Sequence, residues 1–325
     1  MVEQTKRARV QSAIRTAPKR SSAPHLALVG VQLMFGTWPI LGKFALRTVS
    51  STTLVAIRIL GAAVVFTILK RSFSELRQLP GRDLLTLLAC SLLGVVLNQF
   101  LFIKGLELTT VINATLLGTA IPAFTLIVSI VLGHDELSLR RFLGVLLAAA
   151  GVIYLIDPIR ADFSSQTNKG NVLIAINCLA YGAYIAASKS LFKRYGALQV
   201  ITWLFLIGSV FTILPGIYSF RTVEVLGGGW WLWLILIYIV MVPTVGAYYL
   251  NAWALTRVLP STVAAYIYLQ PLIAFALAPF LLGERWNSRT AIASVLIFAG
   301  VAIVTKRGRS QAAKEVSARP DALAH

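Results

Sequence analysis

The feature that most constrains this chain is the length of its apolar runs. Residues 198–219, for example, read LQVITWLFLIGSVFTILPGIYS without a single charge. A run of roughly 18 apolar residues or more is long enough to cross the hydrocarbon core of a bilayer as a helix. Inside lipid, a single segment can satisfy its own backbone N–H and C=O groups only by coiling into a helix. Composition agrees. The chain is 57% hydrophobic and 13% charged, whereas a soluble domain carries about 25% charged residues. The fold class read from this is an all-α integral membrane protein. Ten transmembrane helices are predicted, at about 26–46, 52–70, 84–104, 109–132, 139–156, 170–190, 198–219, 230–250, 260–282 and 288–305.

Five of these spans precede, and five follow, a polar connection containing Asp157, Pro158 and Asp162. The predicted organisation is a basic tail at 1–25, a five-helix unit at 26–156, an external linker at 157–169, a second five-helix unit at 170–305 and a tail at 306–325. A net charge of +18 would suit a nucleic-acid partner, but the basic residues sit in tails and alternate short loops, as topology signals do. With the N-terminus inside, 20 of the 30 Lys and Arg residues fall on the inner side and 7 on the outer side. That asymmetry predicts both termini in the cytoplasm of a multi-pass cell-membrane protein, in a bacterium the inner membrane. The tail has no short apolar core with a cleavage site; it reads as cytoplasmic, a transit peptide being the other reading. Trp230, Trp231 and Trp233 open the eighth span and read as an outer interfacial anchor. Cys90 and Cys178 lie within apolar runs and read as small buried residues, not as a disulfide or metal site.

The two halves resemble each other. Gly36, Trp38 and Lys43 match Gly182, Tyr184 and Lys189 at an offset of 146, while Leu106, Pro122 and Gly151 match Leu255, Pro271 and Gly300 at 149. Five crossings return the chain on the opposite side of the membrane, so a duplicated five-helix unit must be inverted relative to the first. Inverted repeats are a common design for secondary transporters, with the site between the units. Structural symmetry alone is the other reading.

On these residues the sequence resembles the EamA branch of the drug/metabolite transporter superfamily. The first half carries Asn113-Ala114-Thr115-Leu116, Pro122, Leu132-Gly133, Asp135, Glu136, Gly144 and Gly151. The second carries Ser261, Ala264, Leu269-Gln270-Pro271, Leu282-Gly283-Glu284 and Gly300. Gly133-His134-Asp135-Glu136 stands where Gly-Glu is more usual, which leaves open the acid equivalent to Glu284. The resemblance implies a ten-helix fold and transport of a small metabolite, often export.

Candidate substrate-binding residues are the polar and aromatic ones within the spans: Trp38, Tyr184, Asn98, Asn113, Tyr248, Tyr266 and Gln270. Amides between membrane helices also serve as packing contacts worth about 0.6 kcal/mol each. Lys43 and Lys189 lie near span ends, where snorkelling or gate pairing competes with substrate contact. Arg58 is deeper, about six residues into its span, and should face a cavity or a partner. Glu107 is the candidate partner. Pro122 and Pro271 predict paired kinks. The small-residue rows through Gly144, Ala148 and Gly151, and through Ala293 and Gly300, suit close helix packing or a dimer face.

All twelve acids fall in tails, loops or span edges, while the three embedded charges, Lys43, Arg58 and Lys189, are positive. A desolvated cation needs a counter-charge. A neutral, zwitterionic or anionic solute is therefore expected, an amino-acid-like metabolite leading. The chain shows no P-loop, metal-ligand spacing or Gly-x-Ser-x-Gly, so no enzyme, cofactor or metal is expected. The expected partners are the lipid bilayer and a small-molecule substrate, with no nucleic acid. A channel, a lipid scramblase and a membrane enzyme are the alternatives to a carrier.

Overall fold

The computed structural model describes residues 22–70, 79–133, 139–156, 165–222, 229–258, 260–285 and 287–305. Residues 1–21 of the predicted N-terminal tail, the tail at 306–325, most of the 157–169 linker, and Asp135 and Glu136 lie outside the described residues, while the first helix begins at Ala23, within the predicted tail. All regular structure among the described residues is helical. We number the helices α1 (Ala23–Ala45), α2 (Ser51–Lys70), α3 (Gly81–Leu108), α4 (Val111–Val131), α5 (Leu139–Ile156), α6 (Gln166–Tyr195), α7 (Ala197–Thr222), α8 (Gly229–Leu255), α9 (Pro260–Ala265, Tyr266–Tyr268 and Leu269–Leu282) and α10 (Ser288–Thr305). Among the described residues, α1–α4 and α6–α8 are each long and apolar enough to cross a membrane, and α5, α9 and α10 contain shorter apolar stretches.

Four irregularities interrupt the helices. α3 widens into a π-helical stretch at Leu92–Leu97 and α8 does so at Val240–Gly246. α4 breaks at Thr119–Ala120, between Val111–Gly118 and Ile121–Val131. α9 tightens to a 3₁₀ turn at Tyr266–Tyr268. The expected kinks thus lie just before Pro122 and Pro271, each of which stands near the start of the following helical piece, where proline's missing N–H is tolerated. The Leu-Gly pairs end their helices: Gly133 and Gly283 have φ of +71° and +69°, a conformation that disfavours a Cβ.

Packing pairs the helices in a repeating pattern. α2 lies along α7 and α5 along α10. α3 packs on α6, and α8 packs on α1. α4 crosses α6, and α9 crosses α1. Glycines set the closest of these crossings. A Cβ on Gly36 of α1 would meet Ile273 of α9 at 2.5 Å, and one on Gly182 of α6 would meet the Thr125 backbone of α4 at 2.9 Å and Phe124 at 3.0 Å. Gly151 in α5 has the same use, since a Cβ on it would lie 2.6 Å from Ile297 of α10. Outward faces carry large apolar residues such as Phe280, Val131 and Leu214, as a lipid-facing surface requires. Trp230 and Trp231 stack at 4.1 Å and are both 63% exposed at the start of α8. Both cysteines are buried and free.

Candidate functional site

The N-terminal and C-terminal halves of the chain both line an internal cavity, whose space including its open mouth is about 720 Å³. Its walls come from α1, α2, α3, α4, α6, α8 and α9. Of the residues expected to bind substrate, Trp38, Asn98, Tyr248 and Gln270 line it. Arg58 does as well.

The polar wall is built largely from contacts between the first and second halves of the chain. Gln270 Nε2 of α9 donates to Gln32 Oε1 of α1 at 2.6 Å. Tyr248 Oη of α8 donates to Asn98 Oδ1 of α3 at 2.9 Å, and Asn177 Nδ2 of α6 donates to the Asn98 carbonyl at 2.7 Å. Asn251 Nδ2 reaches the Tyr181 hydroxyl at 3.4 Å. Gln99 is 1% exposed, and neither its Oε1 nor its Nε2 has a hydrogen-bond partner.

Arg58 departs from its expected pairing. Its Nε donates to Thr244 Oγ1 of α8 at 2.9 Å, and its guanidinium carbon lies 3.8 Å from the centroid of the Trp38 ring. Glu107 sits instead at the end of α3 and pairs with Lys104 at 2.9 Å. These two groups are neighbours one turn apart on the same helix, so Glu107 is already compensated where it stands. Thr244 is positioned by the π-helical stretch. Pro243 has no N–H to offer the Ile239 carbonyl four residues back, and the Thr244 hydroxyl donates to that carbonyl at 2.7 Å. Its lone pairs remain available to Arg58.

Three expected binding residues lie off the cavity wall. Tyr184 is 2% exposed behind Tyr181, with its ring over Gly94, where a Cβ would come within 2.3 Å. It packs α6 onto α3. Asn113 lies in the first turn of α4, where its backbone N–H donates to the capping hydroxyl of Thr110 at 3.1 Å. The Tyr266 hydroxyl is 2.8 Å from His25 Nδ1, an exposed contact between α1 and α9. Lys43 donates to the backbone carbonyl of Glu107 at the end of α3 at 3.2 Å, and Lys189 to that of Val258, just beyond α8, at 3.1 Å. Lys43 also borders a second, mixed-charge pocket with Arg47, Glu107 and Glu284.

Glu284 follows α9 and closes on α4. Its two carboxylate oxygens accept from the N–H groups of Val111 at 2.7 Å and Ile112 at 2.9 Å. An anion at a helix N-terminus satisfies otherwise unbonded amides and complements the helix dipole. Asp83, in the first turn of α3, bonds Arg194 and Tyr195. Among the described residues, no carboxylate lines the cavity.

Comparison with known proteins assigns this architecture. The sequence pattern of the EamA-like transporter family matches residues 23–156 and again 168–306. The chain belongs to the EamA-like transporter family. An uncharacterized transporter of Archaeoglobus fulgidus is 27% identical over 182 residues, covering 53% of this chain and 60% of that protein; the chain thus aligns with less than two thirds of that relative's length. A WAT1-related protein of Arabidopsis thaliana is 25% identical over 88% of this chain and 86% of its own length. The uncharacterized transporter YetK of Bacillus subtilis is 22% identical over 87% of each chain. A solved crystal structure shares the fold with a TM-score of 0.63 at 21% identity, covering 88% of this chain and 97% of that one. This EamA-like protein is therefore a multi-pass membrane transporter, not an enzyme.

Sequence reasoning missed Thr244 and Gln32. The signal for Thr244 was a hydroxyl directly after Pro243 within a span, since proline leaves a carbonyl for a neighbouring side chain to take. Gln32, in an otherwise apolar turn of the first span, was an equally visible buried amide.

Proposed function

We propose that this protein is a secondary transporter that moves a small neutral, zwitterionic or anionic metabolite by alternating access, as an exporter or exchanger. An amino-acid-like solute is the leading candidate. The observation that carries the reading is the cavity itself, whose polar wall is held by pairs that join one unit to the other: Gln32 with Gln270, Asn98 with Tyr248 and Arg58 with Thr244. A solute bound there touches both units, and rocking one unit against the other exposes it to each side in turn. Trp38, Asn98, Tyr248, Gln270 and Arg58 are the contacts assigned to it.

In this proposal α1–α5 and α6–α10 are two inverted five-helix units within ten spans. Support comes from the packing, which is unchanged when the units are exchanged: α3 on α6 answers α8 on α1, and α4 on α6 answers α9 on α1. Further support comes from the π-helical stretches in α3 and α8 and from the two family matches, one per unit. Both termini are placed in the cytoplasm of a bacterial inner membrane, on the strength of the basic-residue asymmetry.

The test is counterflow in proteoliposomes with labelled amino acids, organic acids and quaternary ammonium dyes. Gly118 lines the cavity, and a Cβ there would meet nothing within 4 Å. Gly118→Phe is therefore expected to fill the cavity and abolish saturable counterflow while leaving folded yield near wild type. Undiminished counterflow in this variant, or saturable transport of the dyes alone, refutes the proposal. Flux without saturation or counterflow identifies a pore.

A further inference from the structure

The following rests on reading the cavity as the substrate site and adds what that site recognises. We infer that Arg58 is the receptor for a carboxylate, and that the solute carried is an organic monocarboxylate with an apolar body.

Arg58 is 3% exposed and lines the cavity. A guanidinium has five N–H donors. Thr244 takes the one on Nε, and the Trp38 ring covers one face. The donors on the two terminal nitrogens have no hydrogen-bond partner among the described residues. An arginine fixed by its Nε and by stacking, with its terminal fork free, matches the two oxygens of a carboxylate. Embedded arginines are almost always paired with an acid or with carbonyls. Here no acid lines the cavity among the described residues. The counter-charge therefore arrives with the solute.

A second observation points the same way. The Gln99 amide is buried on the cavity wall with both polar atoms unbonded, a state that is unfavourable until a partner arrives. It offers a second polar contact to a solute already held by Arg58. Phe35, Phe102 and Trp38 supply apolar wall between the polar groups, which selects an apolar body. An ammonium group would bring a second positive charge close to Arg58 with no fixed anion to receive it. It is dispensable for binding.

The experiment uses the purified full-length protein in detergent, titrated with matched probes: 3-phenylpropionate and its amide, 4-methylpentanoate and its amide, and phenylalanine. Binding is read from thermal stabilisation and tryptophan fluorescence. Each acid should bind more tightly than its amide, on the order of 10- to 100-fold, the range for a hydrogen-bonded charge pair. Phenylpropionate should bind at least as well as phenylalanine. Arg58→Gln should remove the preference for acid over amide while retaining amide binding. Arg58→Lys should keep a smaller preference, because the charge remains and the fork is lost. If Arg58→Gln does not fold, the wild-type ratio and Arg58→Lys decide. Equal binding of acid and amide by the wild type, undiminished acid binding by Arg58→Gln, or binding of phenylalanine alone overturns the inference. Gly118→Phe separates the two levels. Loss of all probe binding in that variant upholds the cavity even where acid and amide bind alike. Acid binding that survives it overturns the cavity reading and the inference together.

Discussion

Pro243 has no amide hydrogen, and from that absence follows the orientation of the one charged side chain described on the cavity wall. The Thr244 hydroxyl donates to the Ile239 carbonyl and accepts from Arg58 Nε, so a single hydroxyl links a backbone irregularity to a guanidinium. Thr244→Val preserves shape and removes both bonds. It is expected to weaken binding of 3-phenylpropionate by roughly tenfold, about 1.5 kcal/mol, with little change for the matching amide. Thr244→Ser should behave as wild type. Titration of the three proteins side by side checks this, and an equal loss for acid and amide would indicate general disruption of the cavity instead.

Element by element, glycine decides how near the helices come. In the π-helical stretch of α3, Gly94 lies under the Tyr184 ring, and a Cβ would approach it to 2.3 Å. In α4, Gly118 has open space on the same criterion. The same substitution should therefore have opposite effects at the two sites. Gly118→Ala is expected to be neutral or to stabilise by up to about 1 kcal/mol, through helix propensity alone. Gly94→Ala should destabilise by about 1–3 kcal/mol, the range for overpacking, because it forces α6 away from α3. Apparent melting temperatures in one detergent, measured at one scan rate, provide the comparison. A Gly94→Ala protein as stable as Gly118→Ala would mean that Tyr184 can move at little cost.

Across the whole molecule, the charge of the cavity bears on the transport cycle. In the proposed alternating-access cycle, an empty carrier holds the Arg58 charge without a carboxylate among the described cavity residues, whereas one loaded with the proposed monocarboxylate is close to neutral there. Desolvating an unpaired charge costs several kcal/mol. Reorientation past an occluded state should thus be slower for the empty carrier than for the loaded one. Exchange of labelled for unlabelled carboxylate is expected to exceed net efflux by roughly tenfold or more, since each 1.4 kcal/mol of barrier is a factor of ten. Proteoliposomes with and without internal substrate measure this ratio. Equal rates would assign the slow step to something other than the buried charge.

Sequence alone determined the class of this protein, because twenty-odd apolar residues in a row leave the backbone no choice but a helix in lipid. It also pointed to a repeat through Gly36 with Gly182 and Pro122 with Pro271, residues that stand at close crossings and at chain breaks in the structure. It placed Arg58 against a cavity or a partner, since an embedded charge needs one or the other. Only the tertiary structure decided which polar residues share a cavity. A membrane helix is apolar on its lipid face and on its packed face alike, so its sequence carries little of the periodicity that marks the inner side of a helix in water. Trp38 and Tyr184 are therefore equivalent in sequence register, yet Trp38 stacks on Arg58 at the cavity and Tyr184 lies over Gly94 behind it. Glu107 was a plausible partner for Arg58 until the fold set it beside Lys104 and offered Thr244 instead. Contacts of that kind join residues 186 positions apart, and their geometry exists only once the helices have packed.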